Sequence, residues 1–245
     1  MAKKFYVVWR GARTGIFEDW ATTFPLVNGH TGARYKSFAS RTEAEEAYRA
    51  GAPAVRKPGT KSVQQPRVPE DMTGFDIVIF CDGACEPNPG KAGSGMAVYR
   101  NGVLTELWYG LFNPAGTNNT AELHALHQAL LLAQREIDAG RSVQVRSDSA
   151  YGLNAITKWA AGWEKRGWRK PEGEIRNLEL IQTLYALHGE IADDVTLEHV
   201  SAHVGIEGNE LADRMAMLAV ERRELQWRPY DEPLDIDRIL KLRAG

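Results

Sequence analysis

The chain has 245 residues, 43% hydrophobic and 25% charged, enough for one large domain or for a full domain with a small one beside it. No apolar run approaches the roughly 18–20 residues of a membrane-spanning helix, and the N-terminal stretch is too weakly apolar for a secretory signal; only two cysteines, Cys81 and Cys85, are present, which suits a reducing compartment better than a disulfide framework, so a soluble, unprocessed, cytoplasmic protein is expected. The formal net charge of −2 is unevenly divided, +6 over residues 1–70 and −8 over the rest, so a basic module suited to a polyanion precedes an acidic one.

In chain order, "KFYVVWRG" is a short β-type run, and "TGIFEDW" and "GARYKSFA" read as strands and turns. "SRTEAEEAYRAG" reads as a helix capped by Ser40 or Thr42, with an acidic first turn. Residues 49–74 are rich in Pro, Gly, Ser and Gln without hydrophobic periodicity, the signature of a linker. Next, "FDIVIFCDG" has the continuous apolar character of a strand buried on both faces, and "SGMAVYRNGVLTELWYGLF" forms a hairpin turning at Asn101-Gly102. "NNTAELHALHQALLLAQREIDAG" is a long helix with Leu123, Leu126, Leu130 and Ala133 as its apolar stripe and Gly140 as its stop. "SVQVRSDS" is a strand. "SAYGLNAITKWAAGWEKRGW" begins helical and becomes basic and aromatic. "IRNLELIQTLYALHGEI" is a helix, "VTLEHVSA" a strand and "NELADRMAMLAVERRE" a final helix. Three adjacent antiparallel strands followed by strands alternating with helices predict an α/β domain with a mixed sheet covered by helices. In the closing segment, "DIDRILKLR" reads as a short amphipathic helix or a tail.

Four carboxylates are expected at element ends: Asp82 and Asp148 each as the last residue of a strand, Glu122 in the first turn of the long helix, and Asp213 near the start of the last helix. Strand ends of an open α/β sheet are where ligands bind. Acids converging there repel one another unless cations neutralise them. Hard oxygen ligands without a Cys/His cluster favour Mg²⁺, with Mn²⁺ as a substitute; two such ions about 3.5–4 Å apart would clamp the attacking and leaving oxygens of a phosphodiester. The Gly/Pro-rich loop behind Asp82 leaves room for a phosphate chain.

"DGACEPNPG", "TNNTAEL", "SDSAYG" and "HVSAHVGIEGNELAD" resemble, in order, the four motifs of type 1 ribonuclease H, over residues 75–224. The resemblance implies a ribonuclease H-like mixed five-stranded sheet flanked by helices and hydrolysis of the RNA strand of RNA·DNA hybrids, leaving 5′-phosphate and 3′-hydroxyl ends. It makes Asp82, Glu122, Asp148 and Asp213 the metal-binding tetrad and His203 the histidine that assists proton movement or product release. It places Cys85, Asn88, Asn118, Asn119 and Glu122 along the minor groove, where amides suit the 2′-hydroxyl, and Thr117 and Asn177 in a pocket for a DNA phosphate. Residues 158–170, with Trp163, Lys165, Arg166 and Trp168, resemble the basic protrusion that grips the DNA strand; Trp159, at helical spacing from Ala155, reads equally as a core residue. Ala150 replaces a polar residue found in some members, so one contact is expected to be missing.

Residues 4–49 resemble the hybrid-binding, or viroplasmin-like, domain found N-terminal to many type 1 enzymes, a small α+β unit. By that resemblance Trp20 and Tyr35 meet DNA sugars and Lys36 a phosphate, with Ser37 in place of a second lysine. The expected organisation is therefore a hybrid-binding domain (1–50), a flexible linker (51–74), a catalytic domain (75–224) and a C-terminal tail (225–245). The expected partner is an RNA·DNA hybrid, with double-stranded RNA as an alternative ligand of the first module, and the protein is expected to be a monomer off the membrane.

Overall fold

The computed structural model describes residues 4–28, 33–52, 71–170, 173–202 and 205–245. The chain divides into two units, Met1–Ser62 and Val63–Gly245. Among the described residues no helix is long and apolar enough to cross a membrane.

The first unit is a three-stranded antiparallel sheet with two helices: β1 (Phe5–Arg10), β2 (Gly15–Phe17), α1 (Trp20–Val27), β3 (Arg34–Phe38) and α2 (Arg41–Ala50), in strand order β2-β1-β3. Val7 and Val8 of β1 are both fully buried, because alternate residues of a strand face opposite sides and each side is covered. Ser40, not Thr42, caps α2, accepting from the Glu43 N–H. The sequence pattern gave no sign of α1. Asp19 starts it, its carboxylate accepting from the Thr22 N–H and hydroxyl, an N-cap in front of a helix only eight residues long that contains Pro25.

The second unit is a six-stranded sheet in the order β8-β7-β4-β5-β6-β9. Its strands are β4 (Ile77–Glu86), β5 (Gly90–Arg100), β6 (Val103–Gly116), β7 (Val143–Ser147), β8 (Val195–His199) and β9 (Arg228–Pro229). β4, β5 and β6 form the expected antiparallel meander, and β7 and β8 run parallel to β4. These are the five expected strands; β9 is a sixth, two residues long, from the segment read only as a tail. The helices are α3 (Asn118–Asp138), α4 (Ala150–Asn154) leading through a π-helical turn (Ala155–Trp159) into α5 (Ala160–Glu164), α6 (Leu178–Ile191), α7 (Glu207–Arg222) and α8 (Ile236–Ile239).

β4 divides two cores. Ile77, Ile79 and Cys81 point into the core under α3 and α6, and Val78 and Phe80 into the core under α7 and α8. The predicted stripe of α3 is the one observed: Leu123, Leu126, Leu130 and Ala133 are fully buried, each leucine contributing about 1.5–3 kcal/mol. Two glycines set how closely the helices approach. A Cβ on Gly83 would lie 2.2 Å from the Glu122 backbone N, and one on Gly95 would lie 2.2 Å from the Ala212 carbonyl O. α3 and α7 thus pack backbone to backbone on β4 and β5, at the level of the four acids.

Candidate active site

The four acids line one cleft of about 590 Å³, together with Cys85, Glu86, Asn118, Met217 and residues 243–245. Their positions within the elements differ from the expectation in three respects. β4 does not stop at Asp82 but continues to Glu86 in antiparallel pairing with β5. Its parallel partner β7 pairs only as far as Phe80 with Arg146, so Asp82 looks into the space beyond the end of β7. Glu122 is the fifth residue of α3, not in its first turn. Asp148 directly follows β7 rather than ending it, and Asp213 lies in the second turn of α7.

Each carboxylate is held by its own partners. Asn118 Nδ2 and Ser149 Oγ both donate to Glu122. Asn209 Nδ2 donates to Asp148 Oδ2 at 3.0 Å. Asp213 pairs with Arg214, and the Gly245 N–H points at both of its oxygens, 2.9 Å from Oδ1 and 3.2 Å from Oδ2. Burial and the neighbouring Asp148, Asp213 and Glu122 carboxylates push the Asp82 carboxyl well above the usual aspartate range. Glu122 is also raised, by burial and Asp148, against the hydrogen bonds from Ser149 and Asn118. These charges sense one another across a single cleft, an arrangement that a divalent cation would relieve.

Four carboxylates give a donor set that fits hard divalent cations, and the soft groups of the lining are the Cys85 thiol, pushed up by burial, and the Met217 thioether. The side chains are nevertheless turned to their protein partners, and among the described residues no three His, Cys, Asp or Glu groups gather closely enough to ligate one ion. Asp82, Glu122, Asp148 and Asp213 are the carboxylates of the cleft that could hold such ions. Asn209, 3% exposed, keeps its Oδ1 without a hydrogen-bond partner while its amide holds Asp148. Sequence reading missed Asn209 and Ser149. The signal for Asn209 was its position four residues before Asp213, on the same face of α7.

The other predicted residues fall into three groups. Asn88 Oδ1 accepts from the Asn118 N–H at 3.2 Å, which ties the β4–β5 turn to the start of α3; Cys85 is half-buried beside them and Asn119 is exposed. Thr117 caps α3 and meets the Thr120 hydroxyl, which donates to Asn177 Oδ1 at 3.1 Å. Asn177 and Thr120 line a second cleft of about 800 Å³ with Trp168, Arg169 and Lys170. Lys165 and Arg166 are exposed. Trp159 is the tryptophan of this region that protrudes, at 38% exposure, between Tyr151 and Trp163; Trp163 and Trp168 are half-buried and pack on the α3/α6 core. His203 lies outside the described residues. Its neighbour His199 places Nε2 3.1 Å from the Asp148 carbonyl O, bridging the ends of β7 and β8. Burial lowers His124 and His127, which sit half-buried on α3.

In the first unit, Trp20 packs against Tyr6, Phe24 and Tyr35 with ring centroids 5.3–5.8 Å apart, yet Trp20 and Tyr35 remain 40% and 47% exposed. Lys36 follows Tyr35 along β3 and leaves the sheet on the opposite side, its Nζ 5.5 Å from the Phe38 ring. Ser37 shares the side of Tyr35, so β3 brings no charge to the aromatic face.

Comparison with known proteins matches residues 75–221 to the family described as RNase H and residues 4–48 to the Ribonuclease H1 N-terminal domain. A ribonuclease H of Methylorubrum extorquens is 39% identical over 153 residues, 62% of this chain and 63% of that one. Ribonuclease H1 of Rattus norvegicus is 30% identical over 262 aligned positions, covering 90% of both chains. The crystal structure of LC9-RNase H1, a type 1 RNase H with the type 2 active-site motif, superposes with a TM-score of 0.54 at 21% identity, over 71% of this chain and 90% of that one, a likeness of fold. With more than half of the sequence inside one family match and a rat relative aligned nearly end to end, this chain belongs to the ribonuclease H family and carries the N-terminal domain of ribonuclease H1.

Proposed function

We propose that the chain is an endonuclease that hydrolyses the RNA strand of RNA·DNA hybrids, using two divalent cations (Mg²⁺, with Mn²⁺ as substitute) held by Asp82, Glu122, Asp148 and Asp213, and leaving 5′-phosphate and 3′-hydroxyl ends. The observation that carries this reading is the convergence of four carboxylates from β4, α3, the end of β7 and α7 on one cleft, in a chain of this family. Cations bound there would lower the pKa of water and neutralise the charge developing on the phosphate. The protein's part is positional: Ser149, Asn118 and Asn209 orient carboxylates, and the close approach allowed by Gly83 fixes the distance between the Asp82 and Glu122 backbones. His203 is assigned proton movement or product release.

Asn88, Asn118, Asn119 and Cys85 form the rim that would read the 2′-hydroxyl. Thr117 and Asn177, joined through Thr120, hold a phosphate of the DNA strand, with Arg169 and Lys170 adding positive charge to the same cleft. Trp163, Lys165, Arg166 and Trp168 extend that grip, with Trp159 as the exposed aromatic. Residues 1–50 hold the hybrid through Trp20 and Tyr35, Lys36 serving a phosphate at the strand's other side; residues 51–74 act as a linker that raises the local substrate concentration at the catalytic domain, 75–224. The protein works as a monomer in the cytoplasm, and double-stranded RNA is an alternative ligand of its first module.

The test is an end-labelled RNA·DNA hybrid incubated with the protein and with Asp148→Asn, in Mg²⁺ and in EDTA, beside matched DNA duplex and double-stranded RNA. Cleavage confined to the RNA strand of the hybrid and abolished by EDTA and by the substitution is the expected result. Tight hybrid binding without cleavage in any divalent metal would make the chain a binding protein.

A further inference from the structure

Residues 240–245 run back along the catalytic unit into the cleft of the four acids. Ile239 is fully buried, and Leu234, Leu240 and Leu242 pack on the core under α7, so the strap is anchored immediately before it reaches the site. Arg243 then bridges Glu86, at the end of β4, and Glu221, on α7. Two residues later the Gly245 N–H meets the Asp213 carboxylate. The approach requires glycine: a Cβ at position 245 would stand 2.6 Å from Asp213 Oδ1 and 3.5 Å from the Ala84 Cβ. Asp213 is 4% exposed and also bound by Arg214, so it has little freedom to turn away from such a side chain.

Whereas Asn118, Ser149 and Asn209 each donate to a single carboxylate oxygen, the Gly245 N–H faces both oxygens of Asp213, the position that a cation held between them would take. We propose that residues 243–245 form an internal gate on the metal site: the strap holds Asp213 by a backbone hydrogen bond and must release it for that carboxylate to ligate a divalent cation. This rests on the reading of the four acids as cation ligands. Residues 243–245 thereby oppose cation binding, Arg243 setting how firmly the strap is latched and Gly245 letting it reach its target. Cation binding and movement of the strap are a single linked equilibrium, so whatever loosens the strap strengthens cation binding by the same factor.

The gate is tested by isothermal titration of Mn²⁺ into the full chain, into a chain ending at Leu242 and into Gly245→Ala, with thermal unfolding run in parallel. The shortened chain keeps Ile239, Leu240 and Leu242, and Gly245→Ala keeps the length, so neither depends on the other for a folded protein. Both variants should bind Mn²⁺ more tightly, by about tenfold, as expected on removal of one hydrogen bond to a charged group. In the ¹⁵N-labelled full chain without divalent cation, the Gly245 amide should exchange with solvent slowly, and Mg²⁺ should speed that exchange. Equal or weaker Mn²⁺ binding by both variants, or a Gly245 amide that exchanges at the open-chain rate without cation, overturns the gate while leaving the metal site in place. A full chain that binds no Mn²⁺ overturns the gate and the proposed function together.

Discussion

Replacing Gly83 by alanine should separate the two halves of the site by a distance the structure fixes. The added Cβ would stand 2.2 Å from the Glu122 backbone N, 2.3 Å from the Ala121 carbonyl carbon and 2.8 Å from the Ala121 Cβ. Two of these atoms are backbone, so no rotamer change relieves the clash. β4 is paired on both sides, so the start of α3 has to move by about 1 Å to reach ordinary contact near 3.4 Å. That movement also stretches the 2.8 Å hydrogen bond from Ser94 Oγ to the Ala121 carbonyl O. Overpacking of this kind costs about 1–3 kcal/mol, and at the upper end it lowers the melting temperature by about 6–12 °C for a domain of this size. Asp82 and Glu122 would sit about 1 Å further apart, and a misplacement of that size costs about 100-fold in rate. The assay is single-turnover cleavage of a saturating labelled hybrid, beside thermal unfolding followed by circular dichroism. Gly189→Ala is the control: it lies within α6 with nothing within 4 Å of the added Cβ, and it should be neutral or stabilising by up to about 1 kcal/mol. A Gly83→Ala protein that matches Gly189→Ala in both measurements would refute the claim that this contact sets the spacing of the acids.

Three further outcomes follow from the same geometry. Because burial and its acidic neighbours raise the Asp82 carboxyl, the folded protein retains a proton that the unfolded chain releases. With EDTA present the site therefore subtracts stability progressively as pH rises above the usual carboxylate range; Asp82→Asn should melt higher than the parent at pH 7.5 and approach it near pH 4, and a parent whose melting temperature fell no faster than the variant's over that window would contradict the shift. Asn209→Ala removes the 3.0 Å hydrogen bond to Asp148 and should lower kcat about tenfold with KM for hybrid unchanged, whereas Asn209→Asp sets a like charge against Asp148 and should lose more; equal kcat in parent and Asn209→Ala would show that the amide does not orient Asp148. Trp20→Ala combined with Lys36→Ala should reduce the number of cleavages per encounter and spare the single-turnover rate on saturating hybrid, and an equal loss in both would place the first module in the chemistry itself.

The sequence made the large pieces legible because they follow simple patterns: the unbroken apolar run Ile77–Cys81, buried on both faces, and the leucine stripe of α3 are visible without coordinates. The four acids were legible because short residue clusters around them carry the family pattern. What stayed hidden depends on contacts far apart in sequence. Glu122 and Ser149 are 27 residues apart, Asp148 and Asn209 are 61, and Arg243 and Glu86 are 157. α1 was missed because its start rests on one aspartate cap. β9 was missed because two residues, one of them proline, carry no strand signal; its pairing with Trp108 and Tyr109 is a contact distant in sequence, flanked by the stacking of Trp227 on Trp108.

The same β9 covers part of the outer edge of the sheet. Without it, the outer side of β6 would present a row of unpaired amides and carbonyls, a template on which a second chain could add a strand. The Tyr230 N–H closes on the Leu107 carbonyl and the Phe112 N–H on Glu224, while Pro229, with no N–H to offer, ends the row. Arg228 and Asp231 leave paired charges along that border. The segment thus covers part of the edge that β6 would otherwise leave open, and residues 224–230 pair with the sheet although the family match ends at residue 221.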